Sequence, residues 1–111
     1  MKQLITFEDF SKIDLRVGTI IEVNDFPEAR NPAYQLTIDF GSLGIKNSSA
    51  QITTLYKKEA LLGRQLVAVV NFPRKQIGKF MSACLVLGAV NNKDVYLLHP
   101  EMNVKNGSLV S

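Results

Sequence analysis

Hydrophobic and polar residues alternate along much of the chain with the two-residue period of β-strands. The first such run begins at Asp14, and one face of it carries four aliphatic residues: Leu15, Val17, Ile21 and Val23. The opposite face carries Arg16, Gly18, Ile20 and Glu22. This pattern predicts a long first strand. Because glycine within a strand is typical of a bulge or a sharp bend, Gly18 is predicted to bend this strand at a barrel corner.

Two further strands are predicted before the middle of the chain. Aromatic and aliphatic residues alternate with polar ones over residues 34–40, which indicates a second strand with one buried face. A third strand is predicted over residues 45–52, and it carries a run of small polar or apolar side chains: Asn47, Ser48, Ser49 and Ala50. Small side chains there either leave the sheet open to a ligand or reflect close packing by the helix that follows.

A short helix and two uncharged strands follow. We expect Thr53 or Thr54 to cap the helix and Gly63 to end it. Residues 66–70 and 83–87 are short, apolar runs of the kind that form strands buried on both faces.

Additional elements are predicted near the two ends of the chain. Thr6 followed by Asp9 resembles a capping box and predicts one or two turns of helix. The pair Asn106-Gly107 predicts a hairpin within residues 104–109.

The order of these elements predicts the fold class. An all-β chain with one short helix between strands three and four matches the OB-fold, a five-stranded Greek-key barrel, here with additional terminal elements. OB-folds bind ligands on strands two and three and in the loops after strands one and four. Those loops are residues 26–32 and 71–82, so a ligand site is predicted between them.

Length and composition limit the class of protein further. The 111 residues are expected to form a single domain over 1–111. There is no apolar run long enough to span a bilayer and no signal-peptide pattern at the N-terminus, so we expect a cytoplasmic location without membrane insertion. The single cysteine, Cys84, lies in an apolar run and is expected to be buried and inert.

Charge is distributed unevenly along the chain. Residues 1–39 hold four basic and seven acidic side chains, whereas residues 40–93 hold eight basic side chains and one acidic side chain. Clustered positive charge favours a polyanionic partner, since Lys and Arg bind phosphates with release of counterions. A solvated surface of uneven sign is the alternative that charge alone leaves open.

The connection over residues 71–82 concentrates the candidate site residues. Candidates for binding a polyanion are Arg16, Lys46, Asn71, Arg74, Lys75, Lys79 and Ser82. Candidates for binding peptide side chains or stacking on bases are Phe72, Phe80 and Met81. Structural roles are open as well, because Asn71 and Ser82 can pin the connection to its own backbone. The aromatic rings can fold back onto the barrel, and Arg16 can pair across strands with Asp39.

Enzymatic motifs do not emerge from the sequence. It has no Gly-rich phosphate loop and no metal-ligand spacing, and its single histidine, His99, has no orienting acid in view. We therefore expect a protein that is not an enzyme and that holds no metal and no cofactor.

Several motifs resemble the tRNA-binding domain family, whose members occur free in bacteria or fused to some aminoacyl-tRNA synthetases. The resemblance begins with DLRVG from Asp14 and continues through the 71–82 connection. SSAQIT from Ser48, VVNFP from Val69 and LVLG from Leu85 are more narrowly similar to small export-related chaperones built on this domain. The similarity covers nearly the whole chain.

The resemblance implies an OB-fold homodimer stabilised by its terminal elements. Apolar residues near the two termini are the expected interface: Phe7, Phe10, Val104, Leu109 and Val110. For the chaperones it implies ATP-independent binding of preproteins and of the SecA translocation motor. For other members it implies binding of folded tRNA.

The chain departs from both groups on the 71–82 connection. The chaperones usually carry prolines where this chain has Arg74 and Lys79, and a glutamate where it has Ala83, so each change makes the connection more positive. Synthetase-type domains usually show Ser-x-Gly-Met where this chain has SACL from Ser82, which argues against a detached synthetase appendage.

Two functional hypotheses follow from the sequence. One is an export-related chaperone that binds preproteins and SecA and also has tRNA-binding capacity. The other is a structure-specific tRNA-binding protein with no chaperone role. If both ligands share one surface, they should displace each other.

Overall fold

A computed structural model describes residues 1–111 and contains two short α-helices, one 3-10 turn and ten strands. The helical elements are α1 (Phe7–Ser11), the 3-10 turn (Gly41–Leu43) and α2 (Lys58–Leu61). The long strands are β1 (Leu15–Asp25), β2 (Tyr34–Asp39), β3 (Ile45–Ala50) and β4 (Gln65–Val69). The short strands are β5 (Lys75–Ile77), β6 (Phe80–Ser82), β7 (Leu85–Val86), β8 (Gly88–Asn91), β9 (Asp94–Leu97) and β10 (Leu109–Val110).

Five strands form a nearly closed barrel in the order β3-β2-β1-β4-β7, and all neighbours are antiparallel. Hydrogen bonds between β3 and the segment just before β7 bridge the remaining gap. The amide of Ala83 donates to the carbonyl of Asn47 at 2.8 Å, and the Ser48 hydroxyl donates to the carbonyl of Cys84 at 3.0 Å. The predicted OB-fold, with one short helix between strands three and four, is confirmed.

The core fills the barrel with side chains from each of its sides. Six large hydrophobic side chains are fully buried: Ile20, Leu36, Ile38, Phe40, Leu61 and Leu66. Leu61 is the one residue of α2 that packs into the core, and this contact holds the four-residue helix against the barrel. Ser48 is fully buried too, so the small residues of β3 allow close approach at this point, although the partner is the Cys84 segment and not the helix.

The predicted facing of β1 is wrong at its centre. Ile20 is fully buried, whereas Ile21 is exposed. The pairing with β2 passes from Ile20 directly to Glu22, so Ile21 is the extra residue of a β-bulge. A bulge changes which side chains point inward, and a strict two-residue alternation does not reveal it.

Gly18 is needed for close packing and does not carry the bulge. A Cβ at this position would lie 2.6 Å from Cγ2 of Ile38 and 2.8 Å from two ring carbons of Phe40. These distances are below normal contact, so the core fits against β1 only because Gly18 has no side chain.

The helix between β3 and β4 is shorter than predicted. Thr53 and Thr54 lie in a turn before it, and the N-cap residue is Lys57, which makes no side-chain capping bond. Gly63 follows the helix with a φ of +82°, as expected of a residue that ends a helix.

The predicted hairpin at Asn106-Gly107 is wrong, although a turn is present there. The strand that follows, β10, pairs with β1 through Leu15↔Val110 and Arg16↔Leu109. The C-terminal segment is therefore fastened to the first strand of the barrel instead of folding back on itself.

The N-terminal helix is confirmed, together with its capping box. The Thr6 hydroxyl accepts a hydrogen bond from the Asp9 amide at 3.1 Å, and the Asp9 carboxylate accepts one from the Thr6 amide at 3.1 Å. No residue of this helix is buried.

None of the helices has the length and apolar character needed to cross a membrane.

Candidate ligand-binding surface

Residues 71–82 form a β-hairpin, where the sequence predicted a loop. Strands β5 and β6 pair through Lys75↔Ser82, Gln76↔Met81 and Ile77↔Phe80, and Gly78 makes the turn with a φ of +61°. Side chains of paired residues lie on the same face, and successive pairs alternate. Lys75, Ser82, Ile77 and Phe80 therefore share one face of this β5–β6 hairpin.

The remaining pair defines the other face. Gln76 and Met81 lie there, and both are exposed, with Met81 retaining 41% of its accessible surface. Among the predicted peptide-binding residues, Met81 thus faces away from Phe80. The two side chains do not contribute to one binding face.

A cleft of about 340 Å³ opens beside the base of the hairpin. It is lined by Phe72, Pro73, Lys75, Ser82, Cys84 and Leu85. Phe72 is 55% exposed and Leu85 is 48% exposed, so two large apolar side chains stand open to solvent at one cleft. We call this feature the apolar cleft. Its volume suits one or two side chains of an extended segment more than a folded partner.

A second cavity of about 520 Å³ lies at the tip of the hairpin. It is lined by Phe26, Glu28, Gln35, Gly78, Lys79 and Phe80. The rings of Phe26 and Phe80 pack with centroids 5.3 Å apart and an interplanar angle of 59°. Phe80 therefore folds back against the loop after β1. Of the two roles considered for this ring, ligand stacking and packing onto the barrel, the structure shows the packing role.

The cations of the hairpin are free of acidic partners. Arg74, Lys75 and Lys79 are all exposed, and none of them takes part in the three ion pairs of the protein. By contrast, Lys58 is paired with Asp25 at 2.9 Å. Unpaired cations keep their whole charge available to an incoming anion.

Lys46 lies apart from these three cations in the sequence but near the apolar cleft. It is half-buried and pairs with Ile38 across strands β3 and β2. Its charge also reaches the thiol of Cys84, which lines the cleft. Lys46 therefore acts electrostatically on one cleft-lining residue, but it does not itself line the cleft.

Cys84 is held as a neutral thiol. Burial raises the pKa of the Cys84 thiol to about 11, while a hydrogen bond with Ser48 and the charge of Lys46 oppose this with smaller effects. Since the thiolate is the reactive form, the expectation of a buried thiol is confirmed, and its pKa is high for a nucleophile.

Arg16 is bound within the protein, but not to the predicted partner. Its Nε donates to Oδ1 of Asp14 at 2.6 Å and its guanidinium also donates to the carbonyl of Gly107 at 3.0 Å. Asp39 instead accepts a hydrogen bond from the amide of Gly41. The predicted cross-strand pair with Asp39 is wrong, and Arg16 ties the C-terminal segment to β1.

Asn71 and Ser82 both hydrogen-bond to backbone atoms of the protein, as expected if they hold the connection in place. Asn71 accepts from the Asp14 amide at 2.9 Å and donates to the Lys12 carbonyl at 2.7 Å. Ser82 donates to the Cys84 carbonyl at 3.4 Å. Asn71 thereby anchors the base of the hairpin to the segment that precedes β1.

The residues predicted at a dimer interface are accessible to different degrees. Phe7 is 82% exposed, and its ring lies 6.5 Å from that of the half-buried Phe10. Val104 and Leu109 are exposed, and Val110 is half-buried. Because β10 pairs with the N-terminal end of β1, Leu109 and Val110 are attached to the barrel sheet and do not form a separate extension.

Sequence reasoning missed several residues that line the two cavities. Pro73, Cys84 and Leu85 line the apolar cleft, and Glu28 and Gln35 line the cavity at the hairpin tip. The motif VVNFP drew attention to Pro73, but nothing in the uncharged run 83–87 distinguishes the exposed Leu85 from its buried neighbour.

The fold agrees with comparisons to known proteins. Residues 15–109 match the family described as "Putative tRNA binding domain", so the chain belongs to that tRNA-binding domain family. Within that family, two solved structures of the chaperone CsaA are each 53% identical to this chain. The structure from Bacillus anthracis has a TM-score of 0.93 and covers 98% of this chain and 100% of its own. The structure from Picrophilus torridus has a TM-score of 0.91, with coverages of 97% and 100%.

Relatives of a different kind are also found. The methionine–tRNA ligase of Pyrococcus furiosus is 40% identical over 108 residues, which represent 97% of this chain and 15% of the ligase. This chain therefore spans only a small part of the curated relatives it matches. The resemblance to the tRNA-binding domain family and to its small chaperones is confirmed.

Proposed function

We propose that this protein captures unfolded preproteins through the apolar cleft, without using ATP. The observation that carries the proposal is that two large apolar side chains, Phe72 and Leu85, line one cleft and remain about half exposed in a folded domain. Exposed apolar surface of this kind gains free energy when a partner covers it. The 53% identity to chaperone CsaA structures supports the same assignment.

The proposal extends to further partners and to assembly. We infer a homodimer that uses Phe7, Phe10, Val104, Leu109 and Val110, and contact with SecA as the point where clients are delivered. Preproteins are met before export, so the proposed location is the cytoplasm. Sedimentation that gives only monomer at micromolar concentration would remove the dimer from this proposal.

A second function, binding of tRNA, is favoured by a different observation. Arg74, Lys75 and Lys79 are exposed without acidic partners, and the chain belongs to a tRNA-binding domain family. Each phosphate neutralised by such a cation contributes about 0.9 to the slope of log affinity against log salt. Three contacts therefore predict a roughly 40-fold loss of tRNA affinity between about 50 and 200 mM salt. Capture by apolar contacts is expected to change little over this range.

The test of the main proposal is a Phe72→Ala variant. Covering the exposed half of this ring contributes about 1 kcal/mol, so the variant should bind an unfolded preprotein roughly fivefold more weakly. The measurement is a fluorescence titration of labelled preprotein without nucleotide. Met102→Ala is the control, because Met102 is 77% exposed and lines neither the apolar cleft nor the cavity at the hairpin tip. Equal binding by Phe72→Ala and the wild-type protein would contradict capture at the apolar cleft.

A further inference from the structure

We infer that unfolded polypeptide and RNA exclude each other on the β5–β6 hairpin, so that bound RNA releases the client. This inference rests on the proposed function and concerns the regulation of the same site. It follows from the positions of the cations relative to the apolar side chains.

Cationic and apolar residues interleave at the apolar cleft. Lys75 lines the same cleft as Phe72 and Leu85, and Arg74 directly follows Pro73, another lining residue. Lys75 is three residues from Phe72, so their Cα atoms lie within about 11 Å of each other. Lys75 is therefore part of the cleft wall and does not belong to a separate charged surface.

The same interleaving recurs at the tip of the hairpin. Lys79 lines the second cavity together with the paired rings of Phe26 and Phe80. The unpaired cations therefore lie beside apolar side chains at both ends of the hairpin.

The position of Lys75 makes simultaneous occupancy unfavourable. Lys75 lines the same cleft as Phe72 and Leu85, so a phosphate bound to this lysine lies at the cleft itself. An RNA whose phosphates contact Arg74 and Lys75 therefore covers the mouth of the apolar cleft. A polypeptide held between Phe72 and Leu85 likewise covers Lys75.

Ionic strength should decide which ligand is held. Phosphate contacts weaken steeply as salt rises, whereas apolar contacts do not. RNA should therefore displace the client at low salt, and the client should return at higher salt. The hairpin would then hold either RNA or a polypeptide, but not both, and the salt concentration would determine which of them is bound.

The experiment is a competition with two defined probes. A short fluorescent apolar peptide of zero net charge is bound first, and bulk tRNA is then added at about 50 mM salt. We expect complete displacement, with an apparent peptide dissociation constant that rises linearly with free tRNA. The tRNA concentration for half displacement should increase roughly 40-fold at about 200 mM salt.

Two variants show whether displacement of the peptide depends on the cations of the hairpin or only on the total positive charge of the protein. Arg74→Ala/Lys79→Ala leaves the lining of the apolar cleft unchanged and should still bind the peptide, whereas tRNA should displace the peptide only at much higher concentrations. The matched control replaces two exposed lysines elsewhere, Lys2 and Lys105, by Ala, and should behave as the wild-type protein.

The outcomes distinguish this inference from the proposed function. A plateau in the apparent dissociation constant, or a ternary complex of protein, peptide and tRNA, would overturn mutual exclusion while leaving peptide capture intact. Failure of the peptide to bind in the absence of tRNA would reject the proposed function itself, and the inference with it. Displacement of the peptide from Arg74→Ala/Lys79→Ala at the same tRNA concentration as from the wild-type protein would also overturn it, because the competing RNA would then be bound elsewhere.

Discussion

Replacing Asn71 by Ala tests whether this residue positions the hairpin or binds the ligand. Its side chain makes two hydrogen bonds to backbone atoms before β1, one to the amide of Asp14 and one to the carbonyl of Lys12. These groups are more than fifty residues away in the sequence, so the bonds fasten the base of the β5–β6 hairpin to the N-terminal segment. The variant removes both bonds without placing new atoms in the contact.

The expected loss of stability follows from these two bonds. A net contribution of about 0.5–1.5 kcal/mol for each bond predicts a total of about 1–3 kcal/mol, and exposure of the site favours the lower half of that range. For a domain of this size, about 1–2 kcal/mol lowers Tm by about 4–8 °C. The affinity of the folded variant for tRNA at 25 °C should remain close to that of the wild-type protein.

The assay pairs urea unfolding with tRNA binding at a single protein concentration, since assembly would make stability depend on concentration. Asn103→Ala serves as the control, because Asn103 is exposed. Unchanged stability together with weakened tRNA binding would show that the two bonds do not stabilise the fold and would identify Asn71 as a ligand contact.

Two further predictions concern the barrel. Gly18→Ala should lower the free energy of unfolding by about 1–3 kcal/mol, because the new Cβ overlaps Ile38 and Phe40; an unchanged urea midpoint would contradict the packing described here. For Cys84, the raised pKa keeps the folded thiol protonated while the unfolded thiol ionises, so its contribution to stability is complete below pH 9 and is lost as the pH rises from 9 to about 11. The wild-type protein should therefore lose up to about 3 kcal/mol more than Cys84→Ala over this range, and parallel pH profiles would contradict the burial of the thiol.

The strand pattern was enough to predict the fold, because period-two alternation and the order of elements depend on local sequence. The predicted strand order and the helix between β3 and β4 are both present. The capping box at Thr6 is also present, since all its bonds lie within four residues.

Features that depend on contacts between distant parts of the chain could not be predicted from the local sequence pattern. The inward position of Ile20 depends on a bulge opposite β2, and the fate of the Asn106-Gly107 turn depends on pairing between β10 and β1. A turn signal reports local backbone preference and does not identify the strand that will be paired.

The candidate site shows the same division between local and distant effects. Arg74, Lys75 and Lys79 could be predicted because their charge is visible in the sequence. The cleft between Phe72 and Leu85 could not, because it depends on how the chain passes from the hairpin into β7. Exposure of one leucine in an uncharged run is a property of the folded barrel.

The most direct test of peptide capture is a residue-level map of the bound surface. Amide chemical shifts of the labelled protein are measured by NMR during titration with the zero-charge apolar peptide. We expect changes concentrated at Phe72, Lys75 and residues 82–85, with α1 unaffected. Changes confined to the β8–β9 hairpin or to α1, with those positions unchanged, would contradict capture at the apolar cleft.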